Sequence, residues 1–143
     1  MGTRYEQDVV LWAKEQVALL RSGQLSAIDI EHIAEEIEDV GKSEQRELVS
    51  RLTVLLAHLL KWQYQPARRG NSWRRTIAVQ RKDVAYVLDE APSLRGKFSD
   101  SDWLGFVWEK AVVAASNETG LETFPEICPW SMEQIMDSEF LPE

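Results

Sequence analysis

Residues 26–64, SAIDIEHIAEEIEDVGKSEQRELVSRLTVLLAHLLKWQY, decide the fold. Ile30, Ile33, Ile37 and Val40 recur at three-four spacing, the mark of one helix face. Leu48, Leu52, Leu55, Leu56 and Leu59 continue the pattern to Trp62, and Pro66 stops it. Ser26, with Asp29 three residues on, reads as a capping box. Gly41 reads as a stop and Ser43 as a new cap. This gives one helix over about 27–40 and another over about 44–64. A single helix running through Gly41 fits the same residues.

The pattern extends in both directions. Tyr5, Val9, Trp12, Gln16 and Leu19 predict a helix over about 4–22, closed by Gly23 with Leu25 folding back. Ser72 predicts a cap for a helix over about 73–90, and Ser101 for one over about 102–118 that ends at Gly120. The stretch APSLRGKF between them breaks the periodicity. FPEICPW is extended around Pro125 and Pro129, and Ser131 with Gln134 opens a short terminal helix. No stretch alternates like a strand. The expected architecture is an all-α helical bundle of a few main helices plus short helical pieces, in a single domain over residues 1–143.

Composition narrows the class. The 143 residues carry 44% hydrophobic and 28% charged side chains, with one cysteine. That is globular composition without a disulfide framework. No run of about 18 apolar residues is present, so no membrane span is expected, and a cytoplasmic protein is. The net charge of −8 is uneven. Residues 24–47 hold eight acids and two bases, residues 48–97 ten bases and three acids, and residues 98–143 ten acids and one base.

Helical phase sorts the acidic stretch. Glu31, Glu35 and Glu38 fall opposite the isoleucines and read as a solvated face. His32, Glu36 and Asp39 form a stripe on the flank, at the spacing that makes residues neighbours. A helix offering His and Glu one turn apart can supply two metal ligands. Carboxylate-bridged bundles need Glu-x-x-His on two helices, but Asp29 stands three before His32 and Leu55 three before His58. This stripe is the one weak metal candidate, and no cofactor is expected.

Three further groups bear on function. Arg81 sits within the apolar face of Trp73, Ile77, Val84 and Leu88, so its charge needs a partner; Glu36 is the expected one, fixing helix against helix. The stretch KWQYQPARRGNSWRRT places Arg68, Arg69, Arg74 and Arg75 beside Tyr64 and two tryptophans, a composition suited to phosphates and stacked bases. Arg51 and His58, two turns apart, resemble the Arg-and-His motif of HEPN-type helical ribonucleases, although Leu52 stands where that family carries a polar residue. The helix over 102–118 is apolar on both sides, so either it is central in the bundle or its side with Leu104 and Trp108 meets another subunit.

Four segments, YEQDVVLWAKEQVALLRSGQL, DIEHIAEEIEDVGKSEQREL, RLTVLLAHLLKWQYQPARRGNSWRRTI and FPEICPWSMEQIMDSEFLP, together resemble the bacterial family of domain of unknown function DUF29. AEEIEDVG and LLKWQYQP are the most specific pieces. The resemblance spans Tyr5 to Pro142 and implies a single, all-helical domain; it brings no activity, cofactor or catalytic residue. The expected function is a helical protein that self-associates or binds another protein without catalysis. The alternatives are a nucleic-acid-binding or ribonuclease-like module and a metal-carboxylate protein.

Overall fold

The computed structural model describes residues 2–143. Among them are helices, short 3₁₀ segments and turns, and no strand. The helices are α1 (Val9–Arg21), α2 (Ile30–Tyr64), α3 (Asn71–Glu90), α4 (Ser101–Thr119) and α5 (Met132–Met136). The chain divides into two compact units, Met1–Ser43 and Glu44–Glu143.

α2 is one helix of 35 residues. Gly41 does not end it: its φ is not in the left-handed region, unlike that of Gly23 and Gly120. A lone glycine within a helix costs about 1 kcal/mol relative to alanine, too little to break a segment with strong helix formers on both sides.

Most helix starts differ from expectation by a few residues, and aspartate is the reason. Asp8 caps α1 by accepting from the Leu11 N–H, which trims the expected start from residue 4 to Val9. Asp29, not Ser26, opens α2, accepting from the His32 N–H at 3.3 Å; Ser26 lies in a 3₁₀ turn. Asp100, not Ser101, caps α4 through the N–H groups of Asp102 and Trp103. Gly70, not Ser72, precedes α3. Aspartate and serine are comparable caps, so the choice falls to whichever leaves the apolar stripe in register. The expected capping box of Ser131 and Gln134 is present at α5.

The end of α1 shows why Gly23 is glycine. The Gly23 N–H donates to the Leu20 carbonyl and the Gln24 N–H to that of Leu19, the paired bonds of a Schellman turn. Its φ of 77° is left-handed, a conformation that costs any side chain with a Cβ.

The core of the second unit is built on the later half of α2. Leu48, Leu52, Leu55, Leu59 and Leu60 have at most 1% exposure. Ile77 and Val84 of α3 and Val107, Trp108, Ala111 and Ala115 of α4 belong to the same cluster. Each fully buried Leu or Ile adds about 1.5–3 kcal/mol. The two alanines leave no side chain to hold that face of α4 away from its neighbours.

The tail completes this core. Phe124, Cys128, Trp130, Met136 and Leu141 pack against it, and Ile135 is buried within it. The tail also decides between a central α4 and one whose Trp108 meets another subunit. Its ring is 2% exposed, meets the edge of Trp130 with centroids 5.7 Å apart, and donates from Nε1 to the Pro125 carbonyl at 3.0 Å. Leu104 is partly buried on the same side. The open side of α4 is the other one, with Phe106 and Val113 exposed.

Candidate functional site: an open helical hairpin

In the first unit, α1 and the start of α2 form a hairpin. Tyr5 pairs with Glu36 and Trp12 with Asp29. Rising numbers on one side meet falling numbers on the other, so the two segments run antiparallel.

The joined surfaces are the polar ones. Trp12 Nε1 donates to Asp29 Oδ2 at 3.0 Å, and the Asp29 N–H donates to Gln16 Oε1 at 2.7 Å. Trp12 and Gln16 are the buried residues of α1. His32 stacks on the Tyr5 ring, centroids 4.3 Å apart. Its Nδ1 bonds Asp29 at 2.7 Å, and its Nε2 lies 3.1 Å from Glu6. The Tyr5 hydroxyl donates to Glu36.

Charge follows from this geometry. The hydrogen bond to Asp29 raises the His32 pKa, against the opposing effect of burial. Burial pushes the Asp29 carboxyl up, but the bonds from His32 and Trp12 outweigh it and leave the pKa below its usual value. The bond to Glu36 pushes the Tyr5 phenol up to about 12.

So the stripe read as a metal candidate is a clasp. His32 spends both ring nitrogens on Asp29 and Glu6, Glu36 holds Tyr5, and Asp39 is exposed. Among the described residues, no group of three or more such side chains is gathered as a metal site.

The apolar stripe is left open instead. Ile30, Ile37 and Val40 are 66%, 67% and 65% exposed. On α1, Val10 is 64% exposed, and Val17 and Leu20 are each 43% exposed.

The expected Glu36–Arg81 pair gives way to other partners. Arg81, 7% exposed, donates from Nε to the Ile135 carbonyl and from Nη2 to the Phe140 carbonyl, both at 2.7 Å. Burial lowers its pKa and the nearby Asp137 raises it. The cation ties α3 to the tail through main-chain oxygens, partners that a search for acidic side chains overlooks.

Two arginines of the basic stretch rest on the chain's own aromatic rings, Arg74 while staying exposed. The Arg69 and Arg74 guanidinium groups lie over the Trp62 ring, 5.3 and 5.1 Å from its centroid. Arg69 Nε donates to the Trp62 carbonyl at 2.6 Å. Trp62 is buried beneath them, Lys61 lies over the Trp73 ring, and the Tyr64 ring packs nearly at right angles against Phe124. Arg68 and Arg75 are exposed, and Arg75 Nε reaches the Asn71 carbonyl at 3.4 Å.

Arg51 bonds Glu47 at 2.8 Å and pairs with Asp83 at 3.4 Å. The His58 Nδ1 bonds the Val54 carbonyl of its own helix at 2.9 Å, and burial lowers its pKa. The two are held apart on separate partners, and no shared site forms between them.

Concavities mark the second unit. An open groove of about 670 Å³ runs between α2 and α4, with Val49, Val54, Phe106 and Val113 in its walls. A cavity of about 390 Å³ lies among Phe98, Leu104, Trp108, Trp130 and Met132, with Cys128 at its wall. The Cys128 thiol donates to the Trp130 carbonyl, and burial raises its pKa, which disfavours the thiolate.

All-helical architecture defines the class, a small helical protein. The chain belongs to the family described as Domain of unknown function DUF29, whose model matches residues 4–141. No curated protein and no solved structure matches it. Among the described residues, no helix is long and apolar enough to cross a membrane.

Proposed function

We propose that this protein is an interaction domain whose contact surface is the apolar face of the hairpin formed by α1 and the start of α2. The observation that carries this reading is the exposure of Ile30, Ile37 and Val40, each near two-thirds, on a helix face of regular spacing. Two further features support it. The hairpin is joined by its polar clasp, so the isoleucines are not needed to hold it together. The tail that covers Trp108 leaves α4 a less suitable contact than its two-sided sequence implies.

The reading separates core from contact by stability. A core isoleucine replaced by a charge costs several kcal/mol, whereas a surface one costs within about 0.5 kcal/mol. Ile37→Glu in dilute protein should leave unfolding stability within that limit while lowering the binding of an apolar fluorescent dye. A loss of about 2 kcal/mol or more would assign Ile37 to the core and remove the proposal.

A further inference from the structure

The cavity beside Trp108 plays no part in the contact reading above. It lies wholly within Glu44–Glu143. α2 contributes Leu52 and Leu56 to its wall, α4 contributes Leu104 and Trp108, and the tail contributes Trp130 and Met132. Phe98, from the 3₁₀ segment before α4, adds a further ring. The groove between α2 and α4 is larger but open, whereas this cavity is walled by four segments of the chain.

We infer that this cavity binds a small aromatic molecule of about two rings that carries no negative charge. Size sets the first limit. A cavity of about 150 Å³ lined by Leu, Ile and Phe admits one benzene. A volume of about 390 Å³ has room for two fused or linked rings.

The surface of the wall sets the second. The Trp108 and Trp130 rings stand at 84° to each other, so aromatic surface is offered in two directions. Aromatic pairs gain from stacked and edge contacts beyond simple burial. The sulfur atoms of Met132 and Cys128, also in the wall, favour ring edges in the same way. A rigid, flat guest also loses less rotamer freedom on binding than a flexible chain of similar size.

Polar groups set the third. Trp108 Nε1 donates to the Pro125 carbonyl, the Cys128 thiol donates to the Trp130 carbonyl, and Ser131 Oγ accepts from the Gln134 N–H. With these groups engaged, a guest is held mainly by its apolar surface. Among the described residues of the wall, Glu133 is the charged one. It repels an anion, and a buried anion without a partner is costly. The wall is also fixed in place. Ile135 belongs to it, and Arg81 Nε holds the Ile135 carbonyl at 2.7 Å. A cavity formed before its ligand arrives lowers the cost of binding.

Methyl NMR of the full chain tests this, with naphthalenemethanol as the probe. The probe should shift the Met132 methyl to saturation with a dissociation constant below about 1 mM. The methyl of Met136, which packs on the core away from the cavity wall, should move far less. Octanol, a flexible chain of comparable apolar character, should bind more weakly. Naphthoate, the anionic counterpart, should bind at least about tenfold more weakly. Leu104→Trp, which sets a larger ring into the space, should weaken naphthalenemethanol by about three- to tenfold. Probe on the hairpin face alone leaves the Met132 methyl unmoved, so the two surfaces are told apart. An unmoved Met132 methyl, or equal shifts at Met132 and Met136, overturns the site. Equal affinity for naphthoate or octanol overturns the ligand class, and unchanged affinity in a folded Leu104→Trp overturns the site. If Leu104→Trp does not fold, the wild-type Met132 shift and the order of the three probes decide.

Discussion

Arg81 shows how a single misplaced residue can be legible in sequence while its purpose is not. Its position within an apolar stripe requires a partner, since an unpaired buried charge is too costly. Glutamates are the partners visible in a sequence; carbonyl groups are carried by every residue and so attract no notice. The structure gives Arg81 the carbonyls of Ile135 and Phe140. Removing the cation leaves both without their donor. Arg81→Met should therefore cost about 2–4 kcal/mol of stability. Amide exchange should speed most in the tail, from Phe124 to Leu141. Arg81→Lys should recover only part of this, because one ammonium lacks the guanidinium's fork. Equal stability of the Met variant in denaturant titration would contradict the anchoring role.

At the scale of the element, α2 begins where its clasp begins. Asp29 caps the helix, receives the Trp12 indole and bonds His32, so the start of α2 and the docking of α1 share one carboxylate. The pH dependence follows from the directions of the two shifts. His32 has a raised pKa, so the stability it adds is full below about 6.5 and fades as pH climbs through its folded value. Asp29 has a lowered pKa, so its share is full above about 3.9 and fades as pH falls through its own. The hairpin should be firmest between these limits. As pH climbs above about 6.5, α1 should lose protection from amide exchange, after correction for intrinsic rates, and His32→Gln should flatten that loss. An imidazole titrating by NMR at or below about 6.5 would contradict it.

The same element shows where sequence reading reaches its limit. Periodicity gives the helices and the leucine core of the second unit, because there the apolar stripe is the buried one. In the first unit it holds for α1, whose spaced Trp12 and Gln16 are the buried residues, and fails for the start of α2. Ile30, Ile37 and Val40 promise a buried face, but the side of α2 that packs carries His32 and Glu36. Hydrogen bonds and ring contacts choose that side, and neither has a period to detect. The open stripe could not be foreseen because amphipathicity states which face wants cover, not which chain supplies it.

For the whole molecule, the division of labour follows the two units. Glu44–Glu143 carries the leucine-rich core closed by its own tail, while Met1–Ser43 carries the clasped hairpin and its bare face. The central claim is that this bare face of α2 is a contact surface and no part of the core. The triple variant Ile30→Ser, Ile37→Ser and Val40→Ser tests it most directly, with denaturant unfolding and the binding of an apolar dye measured side by side. The prediction is a stability within about 1.5 kcal/mol of the parent, three surface changes of about 0.5 kcal/mol each, together with weaker dye binding. A loss of about 4 kcal/mol or more, or dye binding left unchanged, would contradict it.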